Sequence, residues 1–152
     1  MPAIGWFPDL AAAKTYFTGE RLITTAWDAL ATDALKTVAI TMAYNRIYYS
    51  NLFSVPTYAT ATAAQLVILQ KANAEMAYYL AQHLDDEDRR KGLQAQAVTA
   101  AGIVKENYKD SELSKIPIPP IVAGILDDFS AAAHDFYVSP VDRDEDDDDM
   151  EL

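Results

Sequence analysis

The sequence predicts a mainly α protein: a small helical bundle around one long helix, with a β-hairpin-like insertion and an extended C-terminal tail. Three observations predict it. Residues 63–84 carry apolar side chains at helical spacing, with no glycine or proline in the span. Candidate N-cap residues, Asp9 and Thr32, stand ahead of two shorter segments of the same periodicity. The chain has 152 residues, is 51% hydrophobic and contains no cysteine, so one core must form without disulfides or zinc–thiolate sites. At this length roughly 70% of the unfolded surface can be buried, which is enough for a core of its own.

The elements follow in order. Asp9 to Phe17 reads as a short helix capped by Asp9, with Leu10, Ala13 and Phe17 on one face, and Thr18-Gly19 breaks it. Thr24 or Thr25 caps a brief turn, Ala26 to Leu30, anchored by Trp27. Thr32 caps the next helix, which places Asp33 in the first turn, where the helix dipole favours an acid. Leu35, Val38, Ala39, Met42 and Ile47 then recur at helical spacing to about Tyr49. Residues 50–62 form a break, because Pro56 forbids a continuous helix and biases Val55 to an extended form. The long helix, about Ala63 to Leu84, presents Leu66, Leu69, Met76, Ala77, Leu80 and Leu84.

Beyond it, Asp85 to Lys91 is a charged link. From Leu93 to about Tyr108 the period changes towards alternation, with a turn signal at Ala101-Gly102, which predicts the hairpin. Ile116 to Pro119 is extended, and Pro120 opens a helix with Ile121, Ile125, Leu126 and Phe129 as its apolar face, running to about Ala133. The expected organisation is therefore a helical domain, 1–133, and an extended acidic tail, 134–152.

Net charge is −11, and its distribution is uneven. Asp142 to Leu152 holds eight acidic residues and one arginine, a balance of −7, so the rest of the chain carries only −4. A chain without a basic stripe is a poor match to nucleic-acid phosphates. A free acidic run of this kind is expected to be disordered. No apolar run reaches the roughly 18 residues of a membrane span. Met1 to Gly5 lacks the basic start of a signal peptide, so the expectation is a soluble protein that stays where it is made.

No catalytic, cofactor or metal site assembles in the sequence. His83 has Glu87 at i+4, a pair more typical of a solvated helix end than of a metal site, and His134-Asp135 reads the same way. The five glycines, at 5, 19, 92, 102 and 124, form no phosphate-binding loop. Asp144 to Asp149 lacks the glycine and spacing of a calcium loop. The aromatic residues are more informative. Tyr44, Tyr48, Tyr49, Phe53 and Tyr58 cluster at one helix end and the loop after it, and Tyr78 and Tyr79 are adjacent on the long helix. Neighbouring tyrosines on a helix point in different directions, so these rings divide between core and protein–protein contact.

The order of parts also carries a resemblance. Tyr16-Phe17 is followed by Ala26-Trp27, then by the Thr32-Asp33-Ala34-Leu35-Lys36 helix start and by Glu75-Met76-Ala77 in an Ala-rich helix. Next come the 93–108 stretch, Ile118-Pro119-Pro120-Ile121-Val122 and Leu126-Asp127-Asp128-Phe129. Over about residues 9–130 this pattern resembles the head–tail connector (adaptor) family of tailed bacteriophages, which overlaps sequences labelled "DnaT-like". Many relatives carry a Trp/Phe-Pro-Arg element before the long helix; here that loop has only Val55-Pro56.

The resemblance implies a non-enzymatic virion protein without cofactors, assembled in the host cytoplasm. It would form a homo-oligomeric ring, a dodecamer, in the neck between the portal and a tail, stopper or terminator protein. DNA would pass through the channel without specific binding. It further implies portal contacts from the C-terminal segment, at Tyr137, Val138, Pro140 and Val141. Contacts between subunits or with the next connector would involve Tyr48, Tyr49, Phe53, Tyr58, Leu93, Ile103 and Tyr108. Two other readings compete: a single-stranded-DNA-binding protein, and a regulatory helical module that binds basic partners through its acidic tail.

Overall fold

The computed structural model describes residues 3–83, 100–101, 106–107 and 118–131, and is mainly helical. The helices are α1 (Leu10–Gly19), α2 (Thr25–Asp28), α3 (Asp33–Tyr48), α4 (Ala63–Gln82) and α5 (Pro120–Ile125), followed by a 3₁₀ turn at Asp127–Phe129.

Local chemistry sets the helix starts. The Asp9 carboxylate accepts the Ala12 amide at 2.8 Å at the head of α1. The Thr32 hydroxyl accepts the Leu35 amide at 3.2 Å at the head of α3. Thr62 and Gln65 close a reciprocal capping box on α4: the Thr62 hydroxyl accepts the Gln65 amide at 3.3 Å, and the Gln65 side chain accepts the Thr62 amide at 2.9 Å. Thr24 stands at the N-cap position of α2, yet its hydroxyl donates to the Asp28 carboxylate at 2.7 Å instead of accepting a helix amide. Pro119 and Pro120 open α5, where a missing amide hydrogen costs nothing.

Helix α4 is the centre, with α1, α2, α3 and α5 packed on it. Its first turns are partly exposed, but every residue from Ala72 to Tyr78 is buried. A helix buried on all sides should be apolar all round, and α4 departs from this at two positions. Asn73 is fully buried, and neither atom of its side-chain amide meets a hydrogen-bond partner among the described residues. Glu75 is 7% exposed and is satisfied by the network described below.

The N-terminal residues are part of the same core. Ile4 and Phe7 exchange backbone hydrogen bonds of 2.8 and 3.0 Å across a tight turn, and Gly5 supplies its positive φ of 60°. Trp6, fully buried, donates its indole N–H to the Pro56 carbonyl at 2.8 Å, and its own carbonyl accepts the Gln70 side chain at 3.0 Å. A Cβ on Gly5 would stand 3.0 Å from Tyr44 Cβ and in collision with the Asn73 amide, so only glycine fits here.

The structure corrects two apolar faces expected from spacing. Leu35, Val38 and Met42 are 49, 52 and 42% exposed; of the expected face Ala39 and Ile47 are buried, joined by Ile40 and Ala43. The small alanines let the two backbones approach, which turns the bulkier Leu, Val and Met outward by about a third of a turn. On α5, Val122 and Leu126 are fully buried while Ile121 is 57% exposed. This last helix also stops at Ile125 and does not reach Ala133. The 3₁₀ turn follows, and around the extended Ser130 the Ser54 amide donates to the Phe129 carbonyl at 2.8 Å and the Ala131 amide to the Leu52 carbonyl at 2.9 Å.

Within the stretch expected as a hairpin, Ala100–Ala101 pairs antiparallel with Glu106–Asn107. The rest of 93–108 lies outside the described residues, as do Leu84, Glu87, His134 and the whole segment 134–152.

Candidate interaction surface

Beside Glu75 lies a mixed polar and aromatic network that ties α1 and the loop after it to α4. Glu75 Oε1 accepts both the Tyr16 hydroxyl at 2.8 Å and Arg21 Nε at 3.1 Å. The Arg21 guanidinium also lies 3.4 Å from the centre of the Tyr78 ring and donates to the Ile23 carbonyl at 2.9 Å. Burial, and then the hydrogen bond to Glu75, raises the Tyr16 pKa above its ordinary value. Phe17 stacks on Trp27 with ring centres 4.0 Å apart, beneath the same corner.

Next to this network is a cleft of about 440 Å³ between α1, α2 and the start of α3, lined by Lys14, Arg21, Trp27, Asp28 and Lys36 among others. Lys14 pairs with Asp33 at 2.7 Å, and this contact lowers the Asp33 pKa. The Lys36 ammonium stands 5.4 Å over the Trp27 ring.

The tyrosine cluster splits between core and surface. Tyr44 tilts on Trp6 at 4.6 Å, and Tyr48 stacks on Tyr44 at 5.2 Å, both half-buried against the core. Burial raises the Tyr44 pKa, with Tyr48 and Tyr49 adding to it. Tyr58 is half-buried and lines a groove of about 480 Å³ with Tyr44, Thr37 and Thr41. Phe53 is half-buried and bridges to Ser130. Tyr49 alone of these is largely in solvent, 78% exposed at the C-cap of α3, with its ring edge-on to Tyr48 at 5.1 Å. Leu93, Ile103, Tyr108, Tyr137, Val138, Pro140 and Val141 lie outside the described residues.

Tyr49 follows the line of residues that the fold turned outward. Leu35, Val38 and Met42 stand at i, i+3 and i+7 on α3, an apolar row of two turns, and the exposed Asn45 at i+10 separates it from Tyr49 at i+14. Single exposed apolar residues are ordinary on a protein surface, and several on one helix face are less so. The sequence carried this row in plain view; the spacing that made it resemble a core face equally suits a partner-facing one.

His83 caps the C-terminus of α4 with its ring 4.5 Å from Tyr79, and among the described residues no three His, Asp or Glu converge in a metal-binding arrangement. No helix among them is long and apolar enough to cross a membrane. No protein family, no curated protein and no solved structure matches the chain.

Proposed function

We propose that this chain is a structural, non-enzymatic subunit of a homo-oligomeric ring, the adaptor between portal and tail, stopper or terminator protein in the neck of a tailed-phage virion. The observation that carries the reading is the apolar row Leu35, Val38 and Met42 on α3. A second copy of the chain is its occupant, since each subunit of a ring offers one face to its neighbour. The mainly helical fold around α4 is compatible with this.

In this reading the ring is a dodecamer, and the 93–108 hairpin adds contacts through Leu93, Ile103 and Tyr108. The C-terminal segment, 134–152, docks on the portal through Tyr137, Val138, Pro140 and Val141. The net-acidic subunit repels the DNA that passes through the channel.

The single-stranded-DNA reading has less support. A base-stacking platform needs an open aromatic face, but Tyr78 and Trp27, the rings that meet Arg21 and Lys36, are 3 and 2% exposed.

The test is electron microscopy of the purified chain with and without portal. A ring co-axial with the portal, weakened by Val38→Glu and Met42→Glu and released from the portal by deletion of 134–152, supports the reading. A monomer indifferent to portal, whose mass and shape do not respond to Val38→Glu, overturns it.

A further inference from the structure

We propose that the cleft between α1, α2 and the start of α3 is the docking site for the chain's own acidic terminus, Asp142 to Glu151. Charge placement is the first argument. Residues 1–83 contain five Lys and Arg, and three of them, Lys14, Arg21 and Lys36, line this one cleft; Asp28 is the acid among its lining residues. The terminus is the chain's longest acidic run, eight acids against one arginine over Asp142 to Leu152, whereas the four acids of Asp85 to Asp88 are offset by Arg89, Arg90 and Lys91. Cations clustered on an otherwise balanced segment, in a chain of net charge −11, fit an acidic peptide.

The existing partners leave room for it. Lys36 lies over Trp27 and has no carboxylate within salt-bridge distance among the described residues. Asp33, which holds Lys14, is 68% exposed at its side chain, and exposed pairs of this kind exchange readily because each is worth little. Arg21 stays on Glu75 and Tyr78 and contributes its field to the cleft wall without needing to move.

Reach is the second argument. The last described residue, Ala131, is pinned to Leu52 by its amide. The ten residues 132–141 span about 35 Å when extended, and a domain of this size is about that far across. Laid over the surface, that length carries the terminus about a third of the way around the domain, or across a contact to a neighbour's cleft. This inference does not rest on the ring reading, because a monomer offers the same cleft and the same tail.

The test uses the full chain, whose lack of cysteine lets nitroxide labels be placed at will. Labels at Thr15→Cys, on exposed α1 beside the cleft, and at Met150→Cys report their separation by double electron–electron resonance. The expected result is a narrow short-distance population at low salt. It falls about threefold with Lys36→Gln and about tenfold with Lys14→Gln and Lys36→Gln together. It is lost in 1 M salt, where screening shortens to about 3 Å, and it is unchanged by Lys71→Gln, whose partner Glu20 lies outside the cleft. Mixing singly labelled chains assigns the tail to the same or a neighbouring subunit, and either assignment supports the docking. A broad distribution in the parent chain overturns the proposal, as does a narrow one that survives Lys14→Gln/Lys36→Gln. A broad distribution together with a Thr15 label immobilised by a thymidine oligonucleotide would give the cleft to nucleic acid instead.

Discussion

Among the described residues Glu75 is the buried acid. Its Oε1 holds the Tyr16 hydroxyl at 2.8 Å and Arg21 Nε at 3.1 Å from a site 7% exposed. Glu75→Gln keeps the shape and one acceptor oxygen but removes the charge. The Tyr16 bond then becomes a neutral one and the Arg21 bond loses its ion pair, a loss of about 1 kcal/mol apiece. The Arg21 side chain, 23% exposed, then faces only neutral partners: the substituted amide oxygen, the Tyr78 ring and the Ile23 carbonyl. The sum is about 2–3 kcal/mol, which for a chain of this length lowers Tm by about 5–10 °C. Urea unfolding followed by far-ultraviolet circular dichroism measures it. Arg21→Met costs about 3 kcal/mol, because it strands a buried carboxylate. The double variant recovers about 1–2 kcal/mol of the summed loss, since both changes break the same contact. Additivity within about 0.5 kcal/mol, or a Glu75→Gln change that leaves the urea midpoint in place, would refute the network as a source of stability.

The same network sets an alkaline limit, and three further outcomes follow. The Tyr16 pKa is raised in the folded state, so the fold holds this proton where the unfolded chain has released it; the stabilisation is complete below the ordinary tyrosine value of 10.0 and declines as pH rises above it. Tyr16→Phe should therefore flatten the loss of stability above pH 10 in urea titrations, partly and not wholly, since Tyr44 is raised as well. Gly5→Ala forces a left-handed φ on an L-residue and drives Cβ into the Asn73 amide, for a loss of about 2–4 kcal/mol read from the denaturation midpoint. Asn73→Ala stays within about 1 kcal/mol of the parent, because removing an unpartnered buried amide offsets the lost contacts, whereas Leu69→Ala, equally buried, costs about 2–5 kcal/mol. Lys14→Gln moves the Asp33 titration midpoint upward toward the ordinary carboxylate value, visible by carboxyl-carbon NMR; no shift would mean that the 2.7 Å pair does not persist in solution.

What the sequence determined by itself was local. Asp9 and Thr32 are caps because their short side chains reach back to amides three residues on, a relation that needs only the chain around them. Pro56 and Pro120 mark a break and a start because a proline ring fixes φ in any surroundings. The length of α4 was legible within two residues because uninterrupted helical spacing over five turns has one local solution. Which face of a helix goes inward was settled elsewhere. On α3 the apolar residues cover most of the circumference, and the packing of α3 on α4 decided that Ile40 and Ala43 turn in while Leu35, Val38 and Met42 turn out. Trp6 on Pro56, Gly5 on Asn73, and Tyr16 with Arg21 on Glu75 join residues 50 or more apart in the chain. No periodicity encodes such pairs, because their energy comes from surfaces that exist only once the bundle has closed. The same holds for the cleft that gathers Lys14, Arg21 and Lys36: in sequence three scattered cations, in the fold the lining of one cleft.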